Sequence, residues 1–486
     1  MGYIEGEDRN QIILFPESID EYVSDNNSIR IIDEYIKQLD LEILGFNRAA
    51  TPSLGRPPYH PKDMLKLYLY GYLNRIRSSR RLEQEAIRNL EVIWLLKKLK
   101  PDFKTIADFR KDNKKALKKV FRDFTKLCDE WELFGKELVA IDGSKFRACN
   151  SKKNNYNSKK LERHLKYLDE KIEGYLKELD HHDRAEASLE KPDVNTIEER
   201  IQQLRDRREK YESYQRKLKQ SGENEISTTD PDSRLMANNN NNVEVSYNVQ
   251  TTVDAKHKLI ADFKVIQKPN DLGQLAPMAI RVKKLFENKT FEVLADKGYY
   301  QAKDLKKCTE NGITVYITKQ TYANGTKDPA FYSDQFKYNL TKNTYLCPTG
   351  KELHYYRARK KDGKVIGYEY RDYTACHKCE FKARCTRAKK GRTICRHADQ
   401  DFLDRIDSQT KRNMEKYKLR QMIVEHPFGT IKRGWGAYFF LTKRKVSVSA
   451  EISLSFLAYN FKRAINILGT EEILRRLRQR RKVVLA

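Results

Sequence analysis

The sequence predicts a mixed α/β protein, in which a mixed sheet is flanked by helices. Three observations lead to this fold class. First, short apolar runs of strand type end in an acid at Asp142 and at Asp296. Second, residues 245–253 and 259–266 have the composition of paired strands joined by a turn at residues 254–257. Third, helical periodicity occupies the segments before, between and after these strands.

The charge of the chain favours a polyanionic partner. Its 486 residues contain 96 Lys and Arg against 68 Asp and Glu, a formal net charge of +28. Such an excess attracts nucleic acid, although a ribosome-like or merely soluble basic protein has the same composition. No stretch approaches the ~20 apolar residues of a membrane span, and the first residues lack the features of a signal peptide. We expect a cytoplasmic protein of the prokaryotic nucleoid that binds double-stranded DNA and no membrane.

Three acids are candidate metal ligands. Asp142 follows Leu-Val-Ala-Ile, Asp296 follows Val-Leu-Ala, and Glu425 lies in the helical segment MIVEHPFGTIKR. Buried carboxylates need a compensating cation, and three of them suit a pair of Mg²⁺ or Mn²⁺ ions that assist displacement at phosphorus. Taken singly, each acid is explained as well by a turn cap or a solvated helix face. Asp254 and Asp271 compete as the second carboxylate, but turn chemistry explains Asp254 and a helix cap explains Asp271.

The stretches around the three acids, DGSKF, DKGYY and EHPFGTIK, resemble in chain order the acidic signatures of the DDE transposases. The resemblance covers nearly the whole chain and is closest to insertion-sequence transposases of the IS1182 type, within the group related to IS4 elements. It is carried further by GEDRNQIILFPESIDEYV, GRPPYHPKDMLKLYLYGYLNRIRSSRRLE and YNVQTTVD. It implies that Asp142, Asp296 and Glu425 form a catalytic triad that binds Mg²⁺ or Mn²⁺ on an RNase H-like core. It also implies cleavage at terminal inverted repeats, strand transfer into target DNA, and a homodimer assembled on the DNA.

The same resemblance assigns residues near Glu425 to DNA binding. The related group has a Tyr, an Arg, the catalytic Glu and a Lys at fixed spacing, and these are Tyr417, Arg420, Glu425 and Lys432 here. Four residues separate Arg420 from Glu425, where the family pattern has three. Lys432 lies seven residues after Glu425, which predicts that both share one helical face. Pro427 is expected to make the helix irregular between them.

Basic residues elsewhere are further candidates for DNA contact. An aromatic helical stripe after Pro61 predicts a helical core, and arginines crowd the turn that follows it. In the family this N-terminal segment grips the transposon ends, while a solvated basic rim is the alternative. The candidates are Arg80, Arg81, Arg110, Lys111 and, in the DGSKF stretch, Lys145.

Two insertions are predicted to interrupt the core, whose order of three antiparallel strands followed by alternating helices and strands is RNase H-like. Near-heptad spacing of Leu and Ile predicts an antiparallel helical hairpin, which clamps DNA, mediates dimer contacts or packs on itself. A polar, Asn-rich mobile loop is predicted over residues 220–242. The expected divisions are 1–132 for an N-terminal all-α DNA-binding domain, 133–153, 244–335 and 401–486 for the core, 154–243 for the hairpin and loop, and 336–400 for a Cys-rich insertion.

Four cysteines predict a structural zinc site in that last insertion. Cys376 and Cys379 form a CxxC pair, Cys385 follows them, and Cys347 lies upstream. Four thiolates suit a closed tetrahedral Zn²⁺ site, and reduced, unliganded thiols are the alternative. The other candidates for the fourth ligand are Cys395, His377 and His397.

The sequence thus predicts a metal-dependent DNA transposase. It contains no GxxxxGK loop and no HExxH motif, so ATP-driven and zinc-protease chemistry have no support. Two alternatives stay open: a transposase-derived regulator that binds DNA without cutting it, and a nuclease that cuts but does not join strands.

Overall fold

The computed structural model describes residues 18–49, 57–184, 194–237, 242–287, 290–319 and 325–485. These residues form a helical N-terminal segment, a large mixed sheet, a long helical hairpin, a small antiparallel sheet and a helical C-terminal segment. The predicted α/β class is confirmed. The Asn run at 238–241 and most of the opening motif lie outside the described residues. Among the described helices, none has the length and apolar character needed to cross a membrane.

The elements are numbered in chain order. The strands are β1 (Leu138–Arg147), β2 (Asn155–Asn157), β3 (Glu225–Ser227), β4 (Arg234–Ala237), β5 (Val243–Asp254), β6 (Ile260–Ile266), β7 (Phe291–Ala295), β8 (Ile313–Ile317), β9 (Lys337–Asn339), β10 (Thr344–Leu346), β11 (Glu352–Lys361), β12 (Lys364–Arg371) and β13 (Thr393–His397). The helices are α1 (Ser28–Lys37), α2 (Leu41–Leu44), α3 (Pro61–Leu73), α4 (Ser79–Arg88), α5 (Leu90–Leu95), α6 (Phe103–Asp112), α7 (Lys114–Glu130), α8 (Ser158–Arg184), α9 (Val194–Ser221), α10 (Leu275–Phe286), α11 (Ala302–Glu310), α12 (Tyr373–His377), α13 (Lys382–Cys385), α14 (Gln400–Arg412), α15 (Met414–Phe428), α16 (Lys445–Leu468) and α17 (Thr470–Leu485).

The large sheet has the strand order β4, β5, β1, β7, β8, and β6 also pairs with β5. β1, β5 and β6 are antiparallel, as the sequence predicts, whereas β7 and β8 run parallel to β1. β4 and β6 both pair with the edge of β5 that faces away from β1. Helices α10 and α11 connect β6 to β7 and β7 to β8. The predicted order of elements is therefore observed.

The register between β1 and β7 brings two acids to one edge of the sheet. Ile141 lies opposite Ala295 in this parallel pair. Asp142 and Asp296 are the next residues of the two chains, so their side chains start from neighbouring positions. The apolar residues before them are buried, because strands of this kind are covered by helices on both faces. The sheet thus fixes the acids where its buried part ends.

The N-terminal helices share one hydrophobic core with the sheet. Phe121 of α7 lies 5.2 Å, between ring centroids, from Phe263 of β6 and 6.4 Å from Phe456 of α16. Phe263 and Phe456 are themselves 5.2 Å apart. Helix α16 therefore packs against both α7 and β6. The helical segment before residue 133 is packed onto the core.

Helices α8 and α9 form the predicted hairpin. Asp169 in α8 accepts a hydrogen bond of 2.7 Å from Arg208 Nε in α9. At the base of the hairpin β2 pairs with β3, so that Asn155 lies opposite Ser227. The hairpin is thus a separate projection whose two ends meet at the core.

The prediction of a mobile loop over residues 220–242 is wrong for residues 225–237, which contain β3 and β4. Asp230 between these strands is fully buried. Its Oδ1 accepts hydrogen bonds from the Tyr247 hydroxyl at 2.8 Å and from the backbone N–H of Arg444 at 2.9 Å. These partners are distant in sequence, so the polar composition of the segment alone did not reveal its order.

Pro427 does not end its helix. Helix α15 continues through Pro427 to Phe428, and a π-helical turn follows over Gly429–Gly434. The predicted irregularity therefore lies after the proline, although Pro427 lacks an N–H and leaves one carbonyl of the preceding turn without its usual donor. Because a π-turn pairs residue i with i+5, the face shared by Glu425 and Lys432 in an ideal α-helix is lost.

The segment from β9 to β13 forms its own five-stranded sheet, in the order β13, β12, β11, β10, β9. A small core of five buried residues supports it. These are Phe336, Tyr345, Leu353, Tyr370 and Ile394. Five buried side chains stabilise a sheet only weakly. A further cross-link would strengthen this small sheet.

We expect Phe121→Ala to lower the free energy of unfolding by about 3–5 kcal/mol. Phe121 is 1% exposed and contacts both the sheet and α16, so its loss leaves a cavity between the two parts. Urea unfolding followed by circular dichroism measures the change. The control is Phe103→Ala, because Phe103 is 42% exposed and a surface change of this kind stays within about 0.5 kcal/mol. A loss below about 1 kcal/mol for Phe121→Ala would contradict the shared core.

Candidate active site

Asp142 and Asp296 share one cation. Arg420 of α15 holds Nη1 3.9 Å from Asp142 Oδ2 and Nη2 3.7 Å from Asp296 Oδ1. Both distances exceed the length of a hydrogen bond, so the guanidinium lies between the two carboxylates without donating to either. The sequence predicts Arg420 as a DNA contact, and in this structure it faces the acids instead.

The surroundings of Asp142 disfavour its charged form. Burial raises the pKa of the Asp142 carboxyl from its usual 3.8 to about 7, and the carboxylates of Asp271 and Asp296 add to the rise. Arg420 opposes it, as does the backbone N–H of Gly143, which donates to Asp142 Oδ1 at 2.9 Å. Burial prevails because a single cation near 4 Å does not replace the lost water. Asp142 therefore gains strongly from any closer cation.

Asp271 is a third acid at this centre, and the helix cap predicted for it is wrong. Its Oδ1 accepts hydrogen bonds from Asn248 Nδ2 at 2.8 Å and from Gln250 Nε2 at 2.6 Å, both on β5. Helix α10 has Gln274 at its N-cap position, without a side-chain cap. The position of Asp271 in the sequence could have shown this, because it lies four residues before the first residue of α10, beyond the position that caps a helix.

Gly143 makes room for the Asp271 carboxylate. A Cβ at position 143 would overlap both Asp271 Oδ1 and Gln250 Nε2. Glycine therefore lets the carboxylate lie against β1, directly beside Asp142. Close packing at the acidic centre therefore explains the glycine of the DGSKF stretch.

Asp254, the other competing acid, belongs to a turn, and that prediction is confirmed. Its buried carboxylate accepts hydrogen bonds from the backbone N–H groups of Gly135, Lys136 and Lys256. It thereby holds the turn after β5 against the segment that enters β1. A carboxylate with all these donors has no free oxygen for a metal.

Glu425 stands apart from the two aspartates. Its side chain is exposed and accepts a hydrogen bond of 2.8 Å from Gln421 Nε2, one turn earlier in α15. Among the residues that the structure describes, no group of three His, Cys, Asp or Glu is arranged to hold a metal ion. The donor set nevertheless fits a divalent cation at the two aspartates, because carboxylate oxygens from adjacent strands already converge on one positive group.

The other predicted DNA contacts near the acids have partners within the protein. Lys432 Nζ donates to the backbone carbonyl of Lys145 at 2.6 Å, and Lys145 Nζ donates to that of Ala237 at 2.6 Å. Burial lowers the pKa of Lys432 to about 8, against the opposing effect of Asp142. The Tyr417 hydroxyl is hydrogen-bonded to Thr318 Oγ1 at 3.0 Å. Lys432 thus lies beneath the acidic centre, and Tyr417 lies at the end of β8.

Of the N-terminal candidates, Arg80 and Arg81 are exposed in the first turn of α4. The guanidinium of Arg80 lies 5.1 Å from the centroid of the Phe103 ring. Arg110 is mostly buried, and its guanidinium lies 5.7 Å from the centroid of the Tyr68 ring. In this structure it packs inside the helical bundle, contrary to the prediction that it contacts DNA. Sequence periodicity did not show this, because Arg110 reaches its partner across the helical bundle.

The four predicted zinc ligands line one small cavity of about 30 Å³. They are Cys347, Cys376, Cys379 and Cys385. Burial raises the pKa of the Cys385 thiol to about 11, and the three neighbouring thiols contribute to the rise. The backbone N–H of Lys351 points to Cys347 Sγ at 3.3 Å. The structure therefore brings the four thiols together in surroundings that favour a cation, while a closed metal arrangement is absent among the described residues.

The alternative fourth ligands lie outside this cavity. Cys395 is exposed, and Arg359 Nη1 lies 3.6 Å from its sulfur. His377 contacts Lys382 Nζ at 3.4 Å, and His397 accepts from the backbone N–H of Asp399 at 3.0 Å. Cys347 is therefore the fourth member of the cluster.

Two protein families match the chain. Residues 17–112 match a transposase domain (DUF772), and residues 346–465 match a transposase DDE domain. The two matches indicate an insertion-sequence DDE transposase. This is consistent with the predicted IS1182 type. A comparison with curated proteins gave no match.

The two matches cover different parts of the transposase. The first spans α1 to α6, including Arg80 and Arg81. The second begins at the end of β10 and continues into α16, so it includes all four of the clustered cysteines and Glu425. Asp142 and Asp296 lie outside both matches, and their grouping rests on the geometry described above.

We expect Asp142→Asn to stabilise the metal-free transposase at high pH. The folded-state pKa of Asp142 is raised, so its ionisation reduces stability progressively as the pH rises from about 4 to about 7. Asparagine cannot ionise, and above pH 7 the variant should gain about 1–4 kcal/mol. Urea unfolding in EDTA between pH 4 and 9 measures the difference. A difference in free energy of unfolding between the variant and the unsubstituted protein that is the same at pH 4 and at pH 8.5 would contradict the raised pKa of this acid.

Proposed function

We propose that this transposase cuts DNA at the ends of its insertion sequence and joins the ends to target DNA, with Mg²⁺ or Mn²⁺ as cofactor. The observation that carries the proposal is the convergence of Asp142 and Asp296 on Arg420. Two acids on neighbouring strands, one within β1 and one directly after β7, held around a cation suit the binding of a divalent ion. Transposase domains at both ends of the chain support the substrate class.

An RNase H-like core is part of the proposal. The strand order with β1 between β5 and β7, three antiparallel strands and two further parallel strands supports it. The domain division is also proposed: 1–132 for DNA binding, 133–153, 244–335 and 401–486 for the core, 154–243 for the hairpin and 336–400 for the Cys-rich insertion. Shared packing at Phe121 joins the first two units tightly.

Asp142, Asp296 and Glu425 are proposed to hold the divalent ions, which would supply Lewis acidity to the attacking and leaving oxygens. Asp142 must lose its proton to do so, because its pKa is near 7. Glu425 lies exposed on α15, the helix that also carries Arg420, and a rotation or shift of this helix would move both residues together. Release of Gln421 would free the Glu425 carboxylate.

The reaction requires two displacements at phosphorus. In the first, a water oxygen bonds to phosphorus and the bond to the 3′ oxygen breaks, which leaves a 3′ hydroxyl. In the second, that hydroxyl attacks a phosphodiester of the target and expels its 3′ oxygen. Both steps use the same acids. No covalent link to the protein is formed.

The basic residues around the acids are proposed to bind DNA. Lys432, Arg420, Tyr417 and Lys145 surround the acidic centre, and Arg80 and Arg81 lie on the exposed first turn of α4. In the metal-free state Arg420 and Lys432 are engaged by protein groups. Phosphate oxygens would take over these contacts. Paired cleavage of two ends favours a homodimer on the DNA.

We further propose that Cys347, Cys376, Cys379 and Cys385 bind a structural Zn²⁺. The four thiols line one cavity, and the small sheet beside them has only a few buried residues. A zinc ion would stabilise the sheet, as it does in other small domains. The bound ion would also lower the pKa of the Cys385 thiol, against the effect of burial.

Cleavage should depend on all three acids. We expect Asp142→Asn, Asp296→Asn and Glu425→Gln each to reduce Mg²⁺-dependent nicking at least about 100-fold, since each removes a charge from the metal site. The substrate is duplex DNA from the sequences that flank the coding region, and gel electrophoresis separates nicked from joined products. Glu415→Gln is the control, because Glu415 is an exposed acid on the same helix and pairs with Lys418.

Three outcomes of that experiment differ in meaning. Binding without nicking by the unsubstituted protein would favour a DNA-binding regulator. Nicking without joined products would favour a nuclease. Full activity of Glu425→Gln would remove Glu425 from the triad and leave Asp271 as the third acid.

The purified transposase should contain one Zn²⁺ per chain. We expect Cys379→Ser to lose the metal and to lower the melting temperature, because three thiolates leave the site open. Elemental mass spectrometry and calorimetry measure the two effects. Cys395→Ser is the control, since Cys395 is exposed and lies outside the cavity. Zinc loss in both variants, or in neither, would contradict the assignment of Cys379 as a ligand.

A further inference from the structure

The hairpin of β11 and β12 projects from the small sheet as a two-stranded ribbon. β10 pairs with β11 only up to His354, and β13 pairs with β12 only from Gly367 onward. Within the described part of the chain, no third strand pairs with residues 355–366, which we name the ribbon tip. At ~3.3 Å per residue it projects roughly 20 Å from the sheet. The turn has the positive φ angles of a two-residue hairpin, 49° at Asp362 and 76° at Gly363.

The ribbon tip is strongly basic and almost entirely exposed. It contains five basic residues and one acid. The basic residues are Arg357, Arg359, Lys360, Lys361 and Lys364, and all are exposed. Lysine on an open strand edge prevents pairing with other chains, which by itself explains part of this composition.

Exposed apolar side chains on the same tip require another explanation. Tyr355 is 48% exposed, Tyr356 46%, Val365 39% and Ile366 38%. Their clustering among cations is unusual for a surface that only meets water. It matches surfaces that contact nucleic acid, where cations meet phosphates and apolar groups meet bases.

The part of the ribbon tip nearest the sheet is held in place by contacts across the two strands. Arg357 Nε donates to Glu369 Oε2 at 2.8 Å across the two strands. The Arg371 guanidinium lies between the rings of Tyr356, at 3.0 Å, and Tyr373, at 4.5 Å. This stacking stiffens the ribbon where it leaves the sheet, next to the cluster of four cysteines. The tip is therefore presented in a defined direction.

We propose that the ribbon tip enters the major groove of the DNA substrate, an inference that rests on the proposed function. A two-stranded ribbon fits a groove ~12 Å wide, whereas the minor groove, at ~6 Å, is too narrow. A second copy of this chain is a poor occupant, because it too carries a net charge of +28. The partner must be acidic and must offer apolar groups at the floor of a groove, as the thymine methyl does.

The first test is the salt dependence of DNA binding by the full chain. We expect the triple variant Lys360→Ala, Lys361→Ala, Lys364→Ala to bind a 40-base-pair duplex of flanking DNA at least 10-fold more weakly at about 100 mM salt. The slope of log K against log salt should fall by about 2–3, since three phosphate contacts are lost. Fluorescence anisotropy measures both. The control removes the same charge from α10 and α11 with Lys284→Ala, Lys303→Ala and Lys307→Ala, all at exposed positions.

The second test shows which groove of the DNA the ribbon tip enters. Methylation of guanine N7 should interfere with binding by the unsubstituted transposase at defined positions, and this interference should disappear in a Tyr355→Ala, Val365→Ala variant. Because these side chains are exposed, unchanged zinc content and melting temperature would verify that the variant is folded. Equal effects of the two lysine triplets, or interference that persists in the apolar variant, would overturn the proposal. Nicking that is abolished by Asp142→Asn and Asp296→Asn would leave the proposed function standing in either case.

Discussion

The constraint on which the rest of the site depends is the juxtaposition of two carboxylates on parallel neighbouring strands. The pairing of Ile141 with Ala295 fixes Asp142, within β1, beside Asp296, directly after β7, at the point where the buried apolar residues of both strands end. Helix α15 places Arg420 between these two acids. The same helix carries Glu425, so the position of α15 relates all three acids to one another.

In the proposed mechanism Arg420 and a divalent ion would compete for the same oxygens. The guanidinium lies nearly 4 Å from both carboxylates, and the pKa of Asp142 stays raised despite it, because burial prevails. An ion at coordination distance would neutralise the two acids more fully and would release the arginine. Metal entry and a change in the environment of α15 would then be linked equilibria.

Local patterns determined what the sequence could predict. The strand before Asp296 ends where its apolar run ends, whereas β1 continues through Asp142 to Arg147, paired with β5. The cysteine spacing indicated which thiols converge. Asp271, Asp230 and Arg110 were misjudged, because their partners on β5, near α16 and on α3 are far away in the chain. The irregularity expected between Glu425 and Lys432 is present as a π-turn, but it follows Pro427, which itself stays within α15.

The packing of α16 against both α7 and β6 has a consequence for how the chain folds during synthesis. Every strand of the large sheet leaves the ribosome before this helix does. Until residues 445–468 have been made, the aromatic side chains of α7 and β6 that contact α16 stay open to water. The core that the N-terminal helices share with the sheet is therefore completed only near the end of translation.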